Sequence, residues 1–135
     1  MITQGQYFAG KPHTPEHDAA ATELLTRVNL LLGEAEATGI AQSICPNTGT
    51  QISGSKGGSG DGGFRLTTAT TGAPGSSHKE ARAVDVYDPQ GHLDNWLTDA
   101  KLETHGLYRE APAYTPNWAH LTTRPPHSRK RTFIP

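Results

Sequence analysis

The chain has 135 residues, a formal net charge of −1 and a pI of about 6.6, a balance that implies neither a nucleic-acid partner nor an acidic membrane surface. Only 33% of residues are hydrophobic, with 15 Gly and 10 Pro, which implies one domain over 1–135 with a small core wrapped in loop. No apolar run approaches the roughly 20 residues that span a bilayer, and the single Cys45 excludes an intramolecular disulfide and a closed thiolate metal site.

In chain order, the first residues have neither a basic nor an apolar leader region, so no signal peptide is expected. Residues 1–13 read as an N-terminal arm anchored by Tyr7 and Phe8. Thr14 and Pro15 suit the N-cap and first turn of a helix. Apolar positions then recur at Ala21, Leu24, Leu25, Val28, Leu31, Leu32 and Ala35, the stripe of a helix packed on one face, with Gly39 as its stop. Cys45 reads as a half-buried structural thiol. Residues 54–63 form a Gly-rich flexible loop, and without a Gly-x4-Gly-Lys-Ser/Thr pattern it is not a phosphate loop.

Phe64–Thr68 reads as a strand and Ala69–Ser77 as a polar loop. A second strand follows at Ala83–Tyr87, with Ala83, Asp85 and Tyr87 on one face and Val84 and Val86 on the other. Asp88-Pro89-Gln90-Gly91 is a turn. Leu93, Trp96, Leu97 and Ala100 predict a second amphipathic helix that stops near Gly106. Leu107–Glu110 reads as a short extended run, Ala111–Pro116 as a loop, and Trp118–Thr122 as the last strand. The order predicts an α+β fold with a small antiparallel sheet and flanking helices.

Two stretches carry chemistry. Ser76-Ser77-His78 leads into the Asp85 strand, and Trp118-Ala119-His120-Leu121 places a second imidazole in the last strand. Two histidines and one carboxylate with an open fourth position is the ligand arrangement of a catalytic zinc site. Taken alone, His120 beside Trp118 reads as a packed core histidine rather than a ligand. Asp85 within a Val/Ala strand is costly to bury without a partner, and a metal is such a partner.

The pattern Ser-x-His-x-x-small-x-Ala-x-Asp runs unbroken from Ser76 to Asp85. With Gly63-Phe64-Arg65 before it, Leu107–Glu110 after it, and Trp118-x-His120-Leu121 followed by Pro125-Pro126-x-Ser128, it resembles the zinc D-Ala-D-Ala carboxypeptidase family. That family belongs to the lysostaphin, D,D-peptidase and hedgehog superfamily, and small phage and prophage members are the nearest in kind. The resemblance covers roughly three quarters of the chain.

It implies a hedgehog/D,D-peptidase-like fold, with zinc (Zn2+) held by His78, Asp85 and His120. It further implies water-mediated cleavage of a peptide bond in the peptidoglycan stem. Ser76 would shape the ligand loop and contact substrate, and Arg65 would bind substrate carboxylate or carbonyl groups, a task suited to a guanidinium fork. The alternative for Arg65 is a surface charge. The resemblance also implies synthesis in a phage-infected or lysogenic bacterium, action on the wall, and a possible place among virion proteins. It implies neither a nucleic-acid nor a membrane partner.

The sequence departs from the family twice. Ala81 stands where the family usually has glycine, a change that matters if the position needs a positive φ. Relatives carry an Asp or Glu a few residues before the last ligand as general base, whereas this chain has Asn117 and Thr115. The nearest upstream carboxylate, Glu110, is either that base or an exposed acid paired with Arg109 or the basic tail 124–131. That tail reads as a solvated stretch or as a contact for an anionic polymer. The missing nearby base keeps open a second function, a non-catalytic zinc module that binds wall or a protein.

Overall fold

A computed structural model describes residues 1–55, 62–69 and 76–135. Most of the expected Gly-rich loop (56–61) and of the polar loop (70–75) lie outside the described residues.

The N-terminal segment carries a short helix, α1 (Gln4–Phe8), closed by a capping box between Thr3 and Gln6. Its anchors are buried as expected, and the Tyr7 hydroxyl donates a 2.8 Å hydrogen bond to the Ala83 carbonyl. Helix α2 (Pro15–Ala37) begins with Thr14 as N-cap, and His17 completes a second capping box. All seven apolar stripe residues are buried, and Gly39 adopts φ +97° just past the helix end. Cys45 is fully buried rather than half-buried, while its neighbour Ile44 is exposed.

Strand β1 (Ala83–Tyr87) falls where the alternation placed it. The helical stretch after it is broken into α3 (His92–Trp96) and α4 (Asp99–Thr104). Leu97 leaves the helix with ψ 137°, and the Thr98 side chain accepts from Lys101 N–H to cap a new start. A Thr with its own capping partner ends one helix and begins another where apolar spacing alone runs on.

Strands β2 (Tyr108–Glu110), β3 (Trp118–Thr122) and β4 (Thr132–Phe133) complete a four-stranded sheet of order β1-β3-β2-β4. The fold is α+β, but the sheet is mixed rather than antiparallel, because β4 pairs parallel to β2. After β3 the chain bends at Thr123-Arg124, turns at His127-Ser128 and returns along the outer edge of β2, so β3 is not the last strand. Phe64–Thr68 is not a strand either. Phe64 N–H bonds the Tyr7 carbonyl, Arg65 N–H the His78 carbonyl, and Ala69 N–H turns back to Leu66, so the backbone there serves α1 and the His78 loop.

Val84, Val86, Ala119 and Leu121 join the α2 stripe in one core, with Tyr7, Phe64, Leu102 and Leu107. Among the described residues no helix is long and apolar enough to cross a membrane.

Candidate metal centre

The site grows from the antiparallel β1–β3 pair. The register sets Asp85 opposite His120, so both side chains rise from the same face of adjacent strands. Asp85 Oδ1 lies 2.9 Å from His120 Nδ1. His78 comes from the turn before β1, with Nε2 3.4 Å from the same carboxylate oxygen. All three are buried, and one ligand atom from each lies within 4.8 Å of the others. Ligands about 2.1 Å from a tetrahedral ion sit about 3.4 Å apart, so the spacing fits a small cation. His78, Asp85 and His120 form a group that could hold a metal ion.

Neighbouring backbone fixes the His78 ligand. Its Nδ1 is 3.0 Å from the Gly63 carbonyl, which only accepts, so Nδ1 donates there and Nε2 is turned toward the cluster. Arg65 N–H donates to the His78 carbonyl, and His78 N–H donates to Ser76 Oγ at 3.2 Å. The Gly63–Arg65 stretch and Ser76 therefore brace one ligand from two sides. Ala81 ends this turn with φ +59°, a conformation that favours glycine, so the turn holds a strained alanine.

Asp85 is braced from the free edge of β1. Its N–H donates to the Gly62 carbonyl at 2.7 Å and its carbonyl accepts from Ser53 N–H at 2.9 Å. A Cβ at Gly62 would overlap the Ser53 carbonyl and come within 2.9 Å of Asp85 Cβ. Glycine is required here by close approach.

Electrostatics favour a charged cluster. Burial pushes the Asp85 carboxyl up, but His78 and then His120 beside it hold it well below the usual carboxylate range. Burial likewise opposes protonation of His120, yet Asp85, and Glu110 beyond it, raise its pKa above the ordinary imidazole value. Arg65 Nη2 lies 3.8 Å from Asp85 Oδ2, at the wall of a cleft of about 410 Å³ lined also by Asn117 and Trp118.

Glu110 stands in the same row. Tyr108 pairs with Thr122 and Arg109 with Leu121. One residue further, this register sets Glu110 across from His120, on the face that bears the cluster. The alternative pairing of Glu110 with Arg109 does not occur. Arg109 points to the other face, where its Nη1 meets Asp94 Oδ1 at 3.3 Å and the Asp94 carbonyl at 2.8 Å. Thr115 is buried and Asn117, at φ +76°, lines the cleft, so neither supplies a carboxylate.

Three features of the site were not foreseen from the sequence. Gly62 is one, hidden among ten residues of Gly-rich composition. The second is Phe133, whose ring lies 6.3 Å from that of His120 and whose strand β4 neighbours Glu110. A strand of two residues is too short for alternation to signal it. A second cleft, beyond Thr122, is the third.

Comparison with protein-family models, with curated proteins and with solved structures finds no match for this chain.

Proposed function

We propose that this protein is a zinc-dependent peptidase of the D-Ala-D-Ala carboxypeptidase-like family, with a hedgehog/D,D-peptidase-like fold, acting on the stem peptides of bacterial peptidoglycan. The observation that carries the reading is the buried His78–Asp85–His120 cluster, whose spacing suits zinc and whose first ligand is oriented by Gly63. The substrate class rests on the sequence resemblance.

Zinc, when bound there, supplies a Lewis acid that polarises a carbonyl and makes water a nucleophile near neutral pH. The chain's own groups do the rest. Glu110, in register with His120, takes a proton from the attacking water at its carboxylate and passes it to the leaving nitrogen. Arg65 at the cleft wall holds a carboxylate or carbonyl of the peptide through its fork of N–H donors. Ser76 keeps the His78 turn in shape through the His78 N–H.

A non-catalytic zinc module that binds wall or a virion protein is the second reading, favoured by Thr115 and Asn117 standing where relatives keep a base. Turbidity of cell-wall suspensions separates the two. The peptidase clears them and a chelator stops the clearing, whereas a binding module sediments with wall and leaves turbidity unchanged.

A further inference from the structure

Along β3, Trp118, His120 and Thr122 share one face, successive members about 6.7 Å apart. Trp118 lines the cleft that holds Arg65 and Asp85, and Thr122 lines a separate cleft of about 690 Å³. The metal cluster therefore lies between two clefts along a single strand. An extended peptide crossing the metal along β3 would enter both.

The second cleft has a distinct chemistry. Ser77, next to ligand His78, and Thr122 form its metal side, Phe133 and Pro126 give it apolar wall, and Arg124 and Arg129 supply its charge. No Asp or Glu side chain lines it among the described residues. Arg124 shares its charge with Glu80 at 3.2 Å. Arg129 is exposed and makes no ion pair among the described residues. The other basic residues of the tail are placed differently. Arg131 stacks over the Tyr108 ring and donates to the Leu107 carbonyl, and Lys130 does not line the cleft.

The cleft wall is also pre-formed. Pro125-Pro126 stiffens the entry, Arg129 N–H closes a turn onto the Pro126 carbonyl, and β4 ties the end of the segment to β2. The backbone that carries Arg129 is thus fixed at the rim of a partly apolar cleft, where its exposed guanidinium can meet a carboxylate through two N–H donors at once.

The geometry points to this cleft as a subsite for a free carboxylate borne by the peptide on the Thr122 side of the cleaved bond, read mainly by Arg129 with Arg124 assisting. The inference rests on the peptidase reading and deepens it. The chain then prefers wall peptides whose side carboxylate is free over those in which it is amidated.

The test measures binding, which separates this inference from catalysis. The zinc-loaded full chain is titrated calorimetrically with a short wall-type peptide carrying one free side carboxylate, and with the same peptide amidated there. The expected preference for the free acid is about tenfold. Arg129→Gln should narrow it to about twofold, Arg129→Lys should retain part of it, and Lys130→Gln should leave it intact, with melting temperatures near wild type throughout. Equal binding of the two peptides by wild type overturns the subsite. So does an equal loss in Lys130→Gln, which would mean diffuse tail charge, and so does tight binding of an oligonucleotide without any free-acid preference. A free-acid preference erased by Arg129→Gln in a chain that cleaves neither peptide upholds the subsite and removes the peptidase reading instead.

Discussion

Asp85 and His120 are register partners in the β1–β3 pair, and their side chains meet on one face with 2.9 Å between Oδ1 and Nδ1. Sheet pairing itself thus assembles two of the three candidate ligands, and the His78 turn brings the third to 3.4 Å. Elemental analysis of protein purified without added metal should give one zinc per chain, and His120→Ala should give almost none. Full metal retention in His120→Ala would contradict the ligand assignment, and iron in place of zinc would contradict the zinc reading, since two histidines and a carboxylate also suit Fe(II). Because no cysteine contributes, the fold should survive chelation with lowered stability, where a zinc finger unfolds.

Gly62 offers a test that changes no ligand. Its missing Cβ lets the chain pass against Asp85 and Ser53. Gly62→Ala forces the strand edge apart, at a cost on the order of 1–3 kcal/mol, and should weaken zinc binding at least tenfold. A melting scan with a competitive metal titration checks both effects together. Wild-type zinc affinity in this variant would show that Asp85 does not need the close approach.

Much of this arrangement was legible in the sequence, and the limits of that reading have physical causes. The α2 stripe, strands β1 and β3, and His78, Asp85 and His120 as candidate ligands follow from period and motif, signals carried by neighbouring residues. The break at Thr98 depends on a side-chain cap that competes with apolar spacing. The loss of the expected Phe64–Thr68 strand depends on where its backbone hydrogen bonds go, to Tyr7 and His78, which are remote in sequence. Strand β4 is two residues long, too short for alternation to register, and its parallel pairing with β2 turns the expected antiparallel sheet into a mixed one. Glu110 illustrates both sides. The sequence marked it as the nearest upstream carboxylate, and extending the β2–β3 register by one residue sets it across from His120.

The opposite face of β2 carries its own titration. Burial raises the Asp94 carboxyl to about 6, with Arg109 opposing and Asp88 adding to the rise. The folded pKa is above the unfolded value, so this contribution to stability is full below about pH 4 and is lost as pH climbs through 6. At most it amounts to about 3 kcal/mol. Asp94→Asn removes the titration. The melting temperature of wild type relative to Asp94→Asn should therefore fall as pH rises from 4 to 7 and stay level above that. A constant difference over this range would mean that Asp94 titrates normally.

Glu110 carries the proton transfer in the proposed reaction, a contribution of typically 10²–10⁴-fold. Glu110→Gln keeps shape and hydrogen-bonding capacity but removes the base. Hydrolysis should drop by at least a hundredfold while zinc content and melting temperature stay near wild type. Normal cleavage by this variant would move the base to another group.

The central claim is that the His78–Asp85–His120 cluster, loaded with zinc, cleaves an amide bond. The most direct measurement is mass spectrometry of a defined wall stem peptide incubated with metal-free protein, with the same protein after zinc is restored, and with zinc-treated His120→Ala. The account predicts that one amide of the peptide is hydrolysed, with the mass of one water gained across the two fragments, in the zinc-restored wild type alone. An intact peptide in all three samples, or equal cleavage by the metal-free protein, would contradict it.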